Sequence, residues 1–171
     1  MQTIQDFFED AERFRELFDD WVTAIFPPAK ADHLCFKCES ANEFEKMRSW
    51  FEGESSFIYQ SLIADRRIAI IKLLKPLSTK LGDIWYVELS DQKPDRSQQS
   101  GFDHIEIYPN NGRIEDLRAF LESKGMMLQK IVRPHHTTYD GVIKEMGKIR
   151  LEEEPLIQKI KREEMREKHG P

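Results

Sequence analysis

A short pattern occurs twice in this 171-residue chain, and it contains residue types that bind metal ions. Asp32-His33 begins one copy and Asp103-His104 begins the other. Each copy is followed, at a similar distance, by a strand-like segment with a carboxylate, Glu88 in the first and Glu152 in the second. Imidazole nitrogens and carboxylate oxygens together suit divalent first-row cations. The duplication therefore predicts that both copies converge on a single cation.

The segments around the two copies share one predicted order of elements, which is strand, helix and three strands. In the first copy the strands are predicted at 32–38, 56–62, 67–74 and 83–90, with the helix at 40–52. In the second copy the strands are predicted at 102–108, near 127–132, 138–143 and 147–152, with the helix at 113–124. Tyr139-Asp140-Gly141 is also compatible with a turn. The chain therefore contains two βαβββ modules.

Helices are predicted at both ends of the chain. Residues 3–26 carry apolar side chains at three- and four-residue steps, and Pro27-Pro28 ends this helix. Its aromatic stripe is interpreted as core packing, with a partner-binding face as the alternative. A final helix is predicted from Pro155 to about Lys168. The predicted parts are a terminal helix (1–29), module one (30–91), a polar linker (92–100), module two (101–153) and a terminal helix (154–171).

Side-chain alternation along four strands predicts one apolar and one ionisable face for each. The ionisable faces are predicted to hold His33, Cys35 and Lys37, then Ile84, Tyr86, Glu88 and Ser90, then His104, Glu106 and Tyr108, and finally Lys148, Arg150 and Glu152. A solvated sheet surface would also be polar. It would not explain why both modules open with Asp-His. We therefore predict that these faces line one concave surface.

Roles follow from residue type. The predicted metal ligands are His33, Glu88 and His104, with Glu152 as the fourth, and the cation is Zn²⁺, Ni²⁺, Co²⁺, Fe²⁺ or Mn²⁺. Glu106 and Glu152 are the predicted catalytic carboxylates, which would move a proton. For Glu106, support of the metal ligands without direct metal contact is the alternative. The predicted substrate contacts are Lys37, Tyr86 and Arg150. The basic residues could equally form ion pairs with the glutamates.

Two further motifs carry less chemistry. Cys35 and Cys38 have the C-x-x-C spacing, but in a strand their sulfurs point to opposite faces, which predicts two buried or half-buried thiols rather than a redox pair. His135-His136 is an adjacent pair whose rings would face apart in a strand. A surface position is the leading interpretation, and a substrate contact or proton shuttle is the alternative.

Composition limits the partners. The chain is 39% hydrophobic and carries a formal net charge of −5, without the basic stripe that nonspecific nucleic-acid binding requires. It contains no apolar run of about 20 residues, so no membrane segment is predicted. Two cysteines and an acidic, amphipathic N-terminal segment predict a cytoplasmic protein.

The two modules resemble a known superfamily. A His in each opening strand and a Glu in each closing strand resemble the vicinal-oxygen-chelate superfamily of glyoxalases, bleomycin-resistance proteins and extradiol dioxygenases. The runs Asp32-His33, 84–89, 101–107 and the closing strand-to-helix segment look more closely like the YecM-type family, a branch associated with metal binding. The resemblance covers residues about 30–153.

The resemblance implies an α+β fold, in which two tandem βαβββ modules form a curved mixed eight-stranded sheet around a cleft. It also implies a cleft metal to which vicinal oxygens of a small substrate add as ligands. His33, Glu88, His104 and Glu152 fall at the ligand positions of the family. Superfamily membership does not name a reaction.

Three functions remain open at this point. The leading one is a metal-dependent enzyme of isomerase, lyase or dioxygenase type that acts on a small oxygen-chelating molecule. The second is a metal-free protein that binds or sequesters small molecules on the same fold. The third is an interaction module that docks through the N-terminal helix. The modules could close one sheet within a chain or swap between two chains, so a homodimer stays open.

Overall fold

The computed structural model describes residues 1–63, 65–132 and 136–169, with side chains to residue 162. The helices are α1 (Ile4–Ile25), α2 (Ala41–Phe51), α3 (Ile114–Ser123) and α4 (Leu156–His169). The strands are β1 (Ala29–Lys37), β2 (Ser55–Ile63), β3 (Arg66–Thr79), β4 (Gly82–Ser90), β5 (Gly101–Pro109), β6 (Leu128–Val132), β7 (Thr137–Ile143) and β8 (Gly147–Leu151). These elements follow the predicted order of two βαβββ modules between terminal helices.

All strands join one eight-stranded sheet in the order β2-β3-β4-β1-β5-β8-β7-β6. Strand β1 runs parallel to β4, β5 runs parallel to β8, and the antiparallel pair of β1 and β5 joins the two modules. The prediction of an α+β fold with a curved mixed sheet is thereby confirmed. Both modules contribute to this sheet within one chain, and the two module-opening strands lie side by side at its centre.

Local sequence explains where the helices begin and end. Thr3 and Asp6 form a capping box, in which Asp6 N donates to Thr3 Oγ1 (3.1 Å) and Thr3 N donates to Asp6 Oδ2 (3.0 Å). Phe26 adopts the left-handed conformation (φ 51°) and ends α1 directly before Pro27. Ser40 caps α2 by accepting a hydrogen bond from Glu43 N.

The hydrophobic core lies between one face of the sheet and the helices α1, α2 and α3. Phe7 of α1 is fully buried, and its ring contacts Phe8, Phe36, Phe51 and Phe102 at centroid distances of 5.0–5.7 Å. Burial of a phenylalanine side chain contributes about 2 kcal/mol or more to folding. The aromatic stripe of α1 therefore packs in the core, which was the leading interpretation of its pattern.

The predicted alternation fails at one position of β4. Ile84 packs in the core together with Val87 and Leu89 instead of sharing the ionisable face. The β3–β4 register jumps between the Lys72 pair and the Leu77 pair, and this irregularity changes the face to which the residue at 84 points. Residues 139–141 lie within β7, so the turn alternative for them was wrong.

The opposite face of the sheet holds the ionisable residues and one helix. Leu156 and Ile160 of α4 pack on Ile68 and Ile70 of β3, next to Tyr86 of β4. Helix α4 therefore covers the sheet on the module-one side of the ionisable face. Among the helices that the structure describes, none is long and apolar enough to cross a membrane.

Candidate metal centre

The two histidines of the repeated pattern meet at the centre of the sheet. Their strands β1 and β5 are neighbours, and the ring centroids of His33 and His104 are 6.0 Å apart. Each side chain is 1% exposed. The β1–β5 register shifts between Ala31 and Leu34, which places the irregularity at the Asp32-His33 pair. The predicted convergence of the two copies is therefore present in the fold.

Each histidine is held by the aspartate that precedes it. His33 Nδ1 lies 2.9 Å from Asp32 Oδ2, and His104 Nδ1 lies 2.8 Å from Asp103 Oδ2. Because an ionised carboxylate only accepts hydrogen bonds, Nδ1 carries the proton in the neutral ring and Nε2 keeps its lone pair. A carboxylate behind the imidazole is the usual support of a metal-binding histidine. This contact explains why both copies contain Asp-His rather than His alone.

A third residue, Glu106, joins the two histidines. One possible ligand atom from each of His33, His104 and Glu106 lies within 4.8 Å of the others, and Glu106 Oε1 is 3.7 Å from His33 Nδ1. In the part of the chain that the structure describes, buried Glu106 Oε1 and His33 Nε2 have no hydrogen-bond partner. Buried polar atoms without partners are costly unless an ion or water binds them. Two imidazoles and one carboxylate fit a divalent first-row cation.

Glu88 lies beside His33. Its Oε2 is 3.6 Å from His33 Nε2, and its Oε1 accepts a hydrogen bond from Cys35 Sγ at 3.4 Å. The Cys35 sulfur thus faces the site, whereas Cys38 is buried in the core on the opposite face. The predicted divergence and burial of the two thiols are confirmed. Cys35, Asp103 and His104 form a second group of candidate ligand atoms within 4.8 Å of each other.

Glu152 is buried immediately after β8, but other side chains hold its carboxylate. Lys159 of α4 donates to Glu152 Oε2, and His136 Nε2 is 3.4 Å from Glu152 Oε1. The side chain of His136 is 43% exposed, so this pair connects a buried carboxylate to the surface. Glu152 is close enough to Glu106 to affect its charge state. The other member of the predicted histidine pair, His135, lies outside the described residues.

The predicted substrate residues differ in their partners. Lys37 Nζ pairs with Asp103 Oδ1 at 2.7 Å, and Lys148 shares the same oxygen at 3.0 Å. Arg150 makes two hydrogen bonds with Asp140, both 2.8 Å long, and its Nη1 lies 3.3 Å from His104 Nε2. Tyr86 borders the site where α4 packs on the sheet.

Opposing effects determine the charge of His33 and Glu106. Burial disfavours the charged imidazole, but Glu106, Asp32 and Glu88 raise the pKa of His33 well above its usual value. Burial raises the pKa of Glu106 to about 8, a change that His33 opposes and Glu152 reinforces. His33 and Glu106 therefore share a proton. A bound cation would displace this proton and take its place between the two side chains.

The pKa of His104 is shifted in the opposite direction from that of His33. Burial and the adjacent Arg150 guanidinium lower the pKa of His104 to about 4. Its ring is therefore neutral at neutral pH, as a metal ligand must be. Burial opposes ionisation of Glu88, but His33 and His104 bring its pKa well below the usual range.

Comparison with known proteins identifies the family of this chain. The family model described as YecM protein matches residues 4–154. The chain belongs to the YecM family. Protein YecM of Escherichia coli (strain K12) is 28% identical over 134 residues, which span 75% of this chain and 71% of that protein.

A solved structure shares the fold. The structure titled "Structural Genomics, Protein EC4020" has a TM-score of 0.74 at 22% identity, and the match covers 94% of this chain and 92% of that chain. Methylmalonyl-CoA epimerase from Mycobacterium tuberculosis matches with a TM-score of 0.49 at 12% identity, over 76% of this chain and 91% of that one.

The sequence pattern did not assign every residue that the fold brings to this centre. It placed Glu106 on the correct face but as a catalytic group, whereas the structure places it within ligand distance of both histidines. It assigned no role to Asp140 or to the aspartates before the histidines. The repetition of Asp-His was a usable signal for those aspartates. No local pattern marks Asp140, because its role depends on its pairing with Arg150 across β7 and β8.

Proposed function

We propose that the protein binds one divalent first-row cation between its two modules and uses it on a small molecule that chelates through neighbouring oxygens. His33 and His104 are the nitrogen ligands. Glu106 supplies the carboxylate that lies within 4.8 Å of both, and Glu88, which is 3.6 Å from His33, is the further ligand. The observation that carries this proposal is that two of the buried side-chain atoms without a hydrogen-bond partner among the described residues, His33 Nε2 and Glu106 Oε1, belong to this one site.

The charges around the site support a cation. Carboxylates outnumber cationic side chains around the two imidazoles. The carboxylates are Asp32, Glu88, Asp103, Glu106, Asp140 and Glu152, and the cations are Lys37, Lys148, Arg150 and Lys159. A bound divalent cation would offset this excess and would polarise substrate oxygens as a Lewis acid.

The proton-transfer group is Glu152. Its carboxylate is buried, near Glu106, and contacts His136, whose ring reaches the surface. A proton taken from substrate by Glu152 can pass to His136 and then to solvent. This arrangement favours isomerase or lyase chemistry, in which a proton moves at the carbon beside the chelating oxygens. Tyr86 and Arg150 border the site and are the proposed substrate contacts.

A metal-free binding protein is the second candidate. One observation favours it, because Arg150 Nη1 already lies within hydrogen-bond distance of His104 Nε2 and satisfies that nitrogen without a cation. Such a protein would bind its ligand equally well with and without added metal.

Elemental analysis of untagged protein, purified without chelator and then reconstituted with Co²⁺ or Zn²⁺, tests the proposal. We expect about one equivalent of metal. His33→Ala and His104→Ala should each lose it while circular dichroism shows a folded chain. His136→Ala is the matched control, since it removes an exposed imidazole outside the ligand set. Stoichiometric metal in both ligand variants, or no uptake by the parent protein, would refute the metal site.

A further inference from the structure

The guanidinium of Arg150 is fixed in place next to the candidate metal centre. Asp140 accepts hydrogen bonds from Arg150 Nε and Nη2, both 2.8 Å long. The strands align Glu106, Arg150 and Asp140 in one row across β5, β8 and β7. Burial disfavours the charge, but the hydrogen bonds to Asp140 raise the pKa of Arg150 above its ordinary value. Arg150 is therefore a permanent, oriented cation.

The remaining edge of this guanidinium points to a metal ligand. Arg150 Nη1 lies 3.3 Å from His104 Nε2 and donates to its lone pair. A nitrogen that ligates a cation has no lone pair left to accept a hydrogen bond. With His104 acting as a ligand, this N–H of Arg150 needs another acceptor, because leaving a partly buried charged donor unpaired is costly.

Lys37 and Lys148 do not donate to a nitrogen of the candidate metal ligands. Lys37 and Lys148 both pair with Asp103 Oδ1, which orients their charge toward that carboxylate. Arg150 differs because its third contact is the very nitrogen that a cation would occupy. Among Lys37, Lys148 and Arg150, it is therefore the cationic side chain whose present acceptor a bound cation would occupy.

We propose that the protein selects substrates whose chelating oxygens include a carboxylate, such as 2-hydroxy or 2-oxo acids, and that Arg150 is the residue that recognises this carboxylate. This inference rests on the proposed metal-binding function. A carboxylate oxygen supplies the acceptor that Arg150 Nη1 loses. A neutral chelator of the same shape leaves the Arg150 N–H poorly paired. The surrounding carboxylates repel an anion, so binding of the acid also requires the cation.

Glycolate and hydroxyacetone form a matched pair of probes. In both molecules the hydroxyl is on the carbon next to the carbonyl or carboxylate carbon. Hydroxyacetone has a methyl group in place of one carboxylate oxygen of glycolate. Binding is measured on cobalt-loaded protein through the change in the visible absorption of Co²⁺, with metal-free protein as a blank. We expect glycolate to bind at least about tenfold more tightly than hydroxyacetone, because a hydrogen bond to a charged group discriminates by about 10- to 100-fold.

Substitutions test whether Arg150 causes the preference for glycolate over hydroxyacetone. Arg150→Gln should weaken the preference for glycolate by about tenfold and leave hydroxyacetone binding unchanged. The Arg150→Gln protein should bind cobalt as tightly as the parent protein or more tightly, because the substitution removes a positive charge next to His104. The double variant Asp140→Asn/Arg150→Gln keeps the test valid if the single variant fails to fold, because it leaves no unpaired buried carboxylate. Arg67→Gln is the control, since Arg67 also pairs with a carboxylate, Asp91, away from the site.

The outcomes separate the two proposals. No cobalt uptake refutes the metal site, and the carboxylate inference with it. If the protein takes up cobalt but binds glycolate and hydroxyacetone equally, the inference is refuted and the metal site stands. The same holds if the Arg150 variants prefer glycolate as strongly as the parent protein does. A weaker preference for glycolate in Arg150→Gln, with the preference unchanged in Arg67→Gln, supports the inference.

Discussion

At the scale of single residues, the aspartate before each histidine has a defined chemical task. Asp32 and Asp103 hold Nδ1 of the next residue, so that Nε2 is directed away from the supporting carboxylate. Asp32 Oδ2 also accepts a hydrogen bond from Leu156 N at the start of α4, and Asp103 is surrounded by Lys37 and Lys148. The two supports are therefore equivalent in chemistry and different in surroundings.

Replacing these aspartates should weaken metal binding without changing the ligands. Asp103→Asn and Asp32→Asn remove the charge that fixes the imidazole orientation, and we expect each to lower metal affinity by about 10- to 100-fold. Competition with a coloured chelator measures the affinity. Asp95→Asn, which changes an exposed aspartate of the linker, is the control. Affinities equal to that of the parent protein would show that the aspartates do not support the ligands.

At the scale of elements, helix α1 is part of the core and not an accessory. Its residues Phe7, Phe14 and Phe18 are buried against the sheet, and Phe7 alone contacts four other aromatic rings. The strands that carry the histidines depend on this layer, because Phe36 of β1 and Phe102 beside Asp103 are among the rings that Phe7 contacts. Packing of α1 thus supports the site from the opposite face of the sheet.

Truncation of Phe7 tests the contribution of this layer. Phe7→Ala should lower the free energy of unfolding by about 3–5 kcal/mol, because it removes a fully buried ring. Phe26→Ala is the matched control at the end of the same helix, where the side chain is 76% exposed and a change within about 0.5 kcal/mol is expected. Urea unfolding measures both values. Similar losses in the two variants would contradict the core assignment.

Helix α4 connects the chain end to the site. Its first backbone amide bonds Asp32, Lys159 bonds Glu152, and Ile160 packs on the sheet near Tyr86. These three contacts place α4 along one border of the ionisable face. Helix α4 therefore bounds the site on one side.

At the scale of the whole molecule, the candidate site joins the two modules. His33 belongs to the first module, His104 and Glu106 belong to the second, and β1 and β5 form the antiparallel seam between them. A cation held by residues of both modules binds the folded chain and not the separated strands. Ligand binding and global stability are therefore linked.

Metal should raise the stability of the protein in a site-dependent manner. At a free cation concentration of 100 times Kd, the free energy of unfolding should increase by about 2.7 kcal/mol. Thermal unfolding with Co²⁺ or Zn²⁺ should show a higher Tm, and excess chelator should reverse the change. His33→Ala should show no increase. An equal increase in this variant would mean that the metal acts elsewhere on the chain.

The order of elements and the composition of each sheet face could be predicted from local patterns. Periods of two and 3.6 residues are properties of short segments, and capping residues such as Thr3 and Ser40 act within one helical turn. Ile84 departs from the alternation because a register jump between β3 and β4, which involves residues far apart in sequence, sets its face. Local periodicity does not encode such a jump.

The sequence by itself determined the order of elements in the two modules, the terminal helices and the presence of an Asp-His pair in each opening strand, because each of these depends on neighbours along the chain. That the two pairs lie side by side depends on the pairing of β1 with β5. Only the tertiary structure decided that Glu106 approaches both histidines, that Lys159 and His136 hold Glu152, and that Asp140 fixes Arg150. These contacts join β5, β7, β8 and α4. Their geometry depends on strand register and on the reach of individual side chains across the sheet, and neither is set by the local pattern of any one segment.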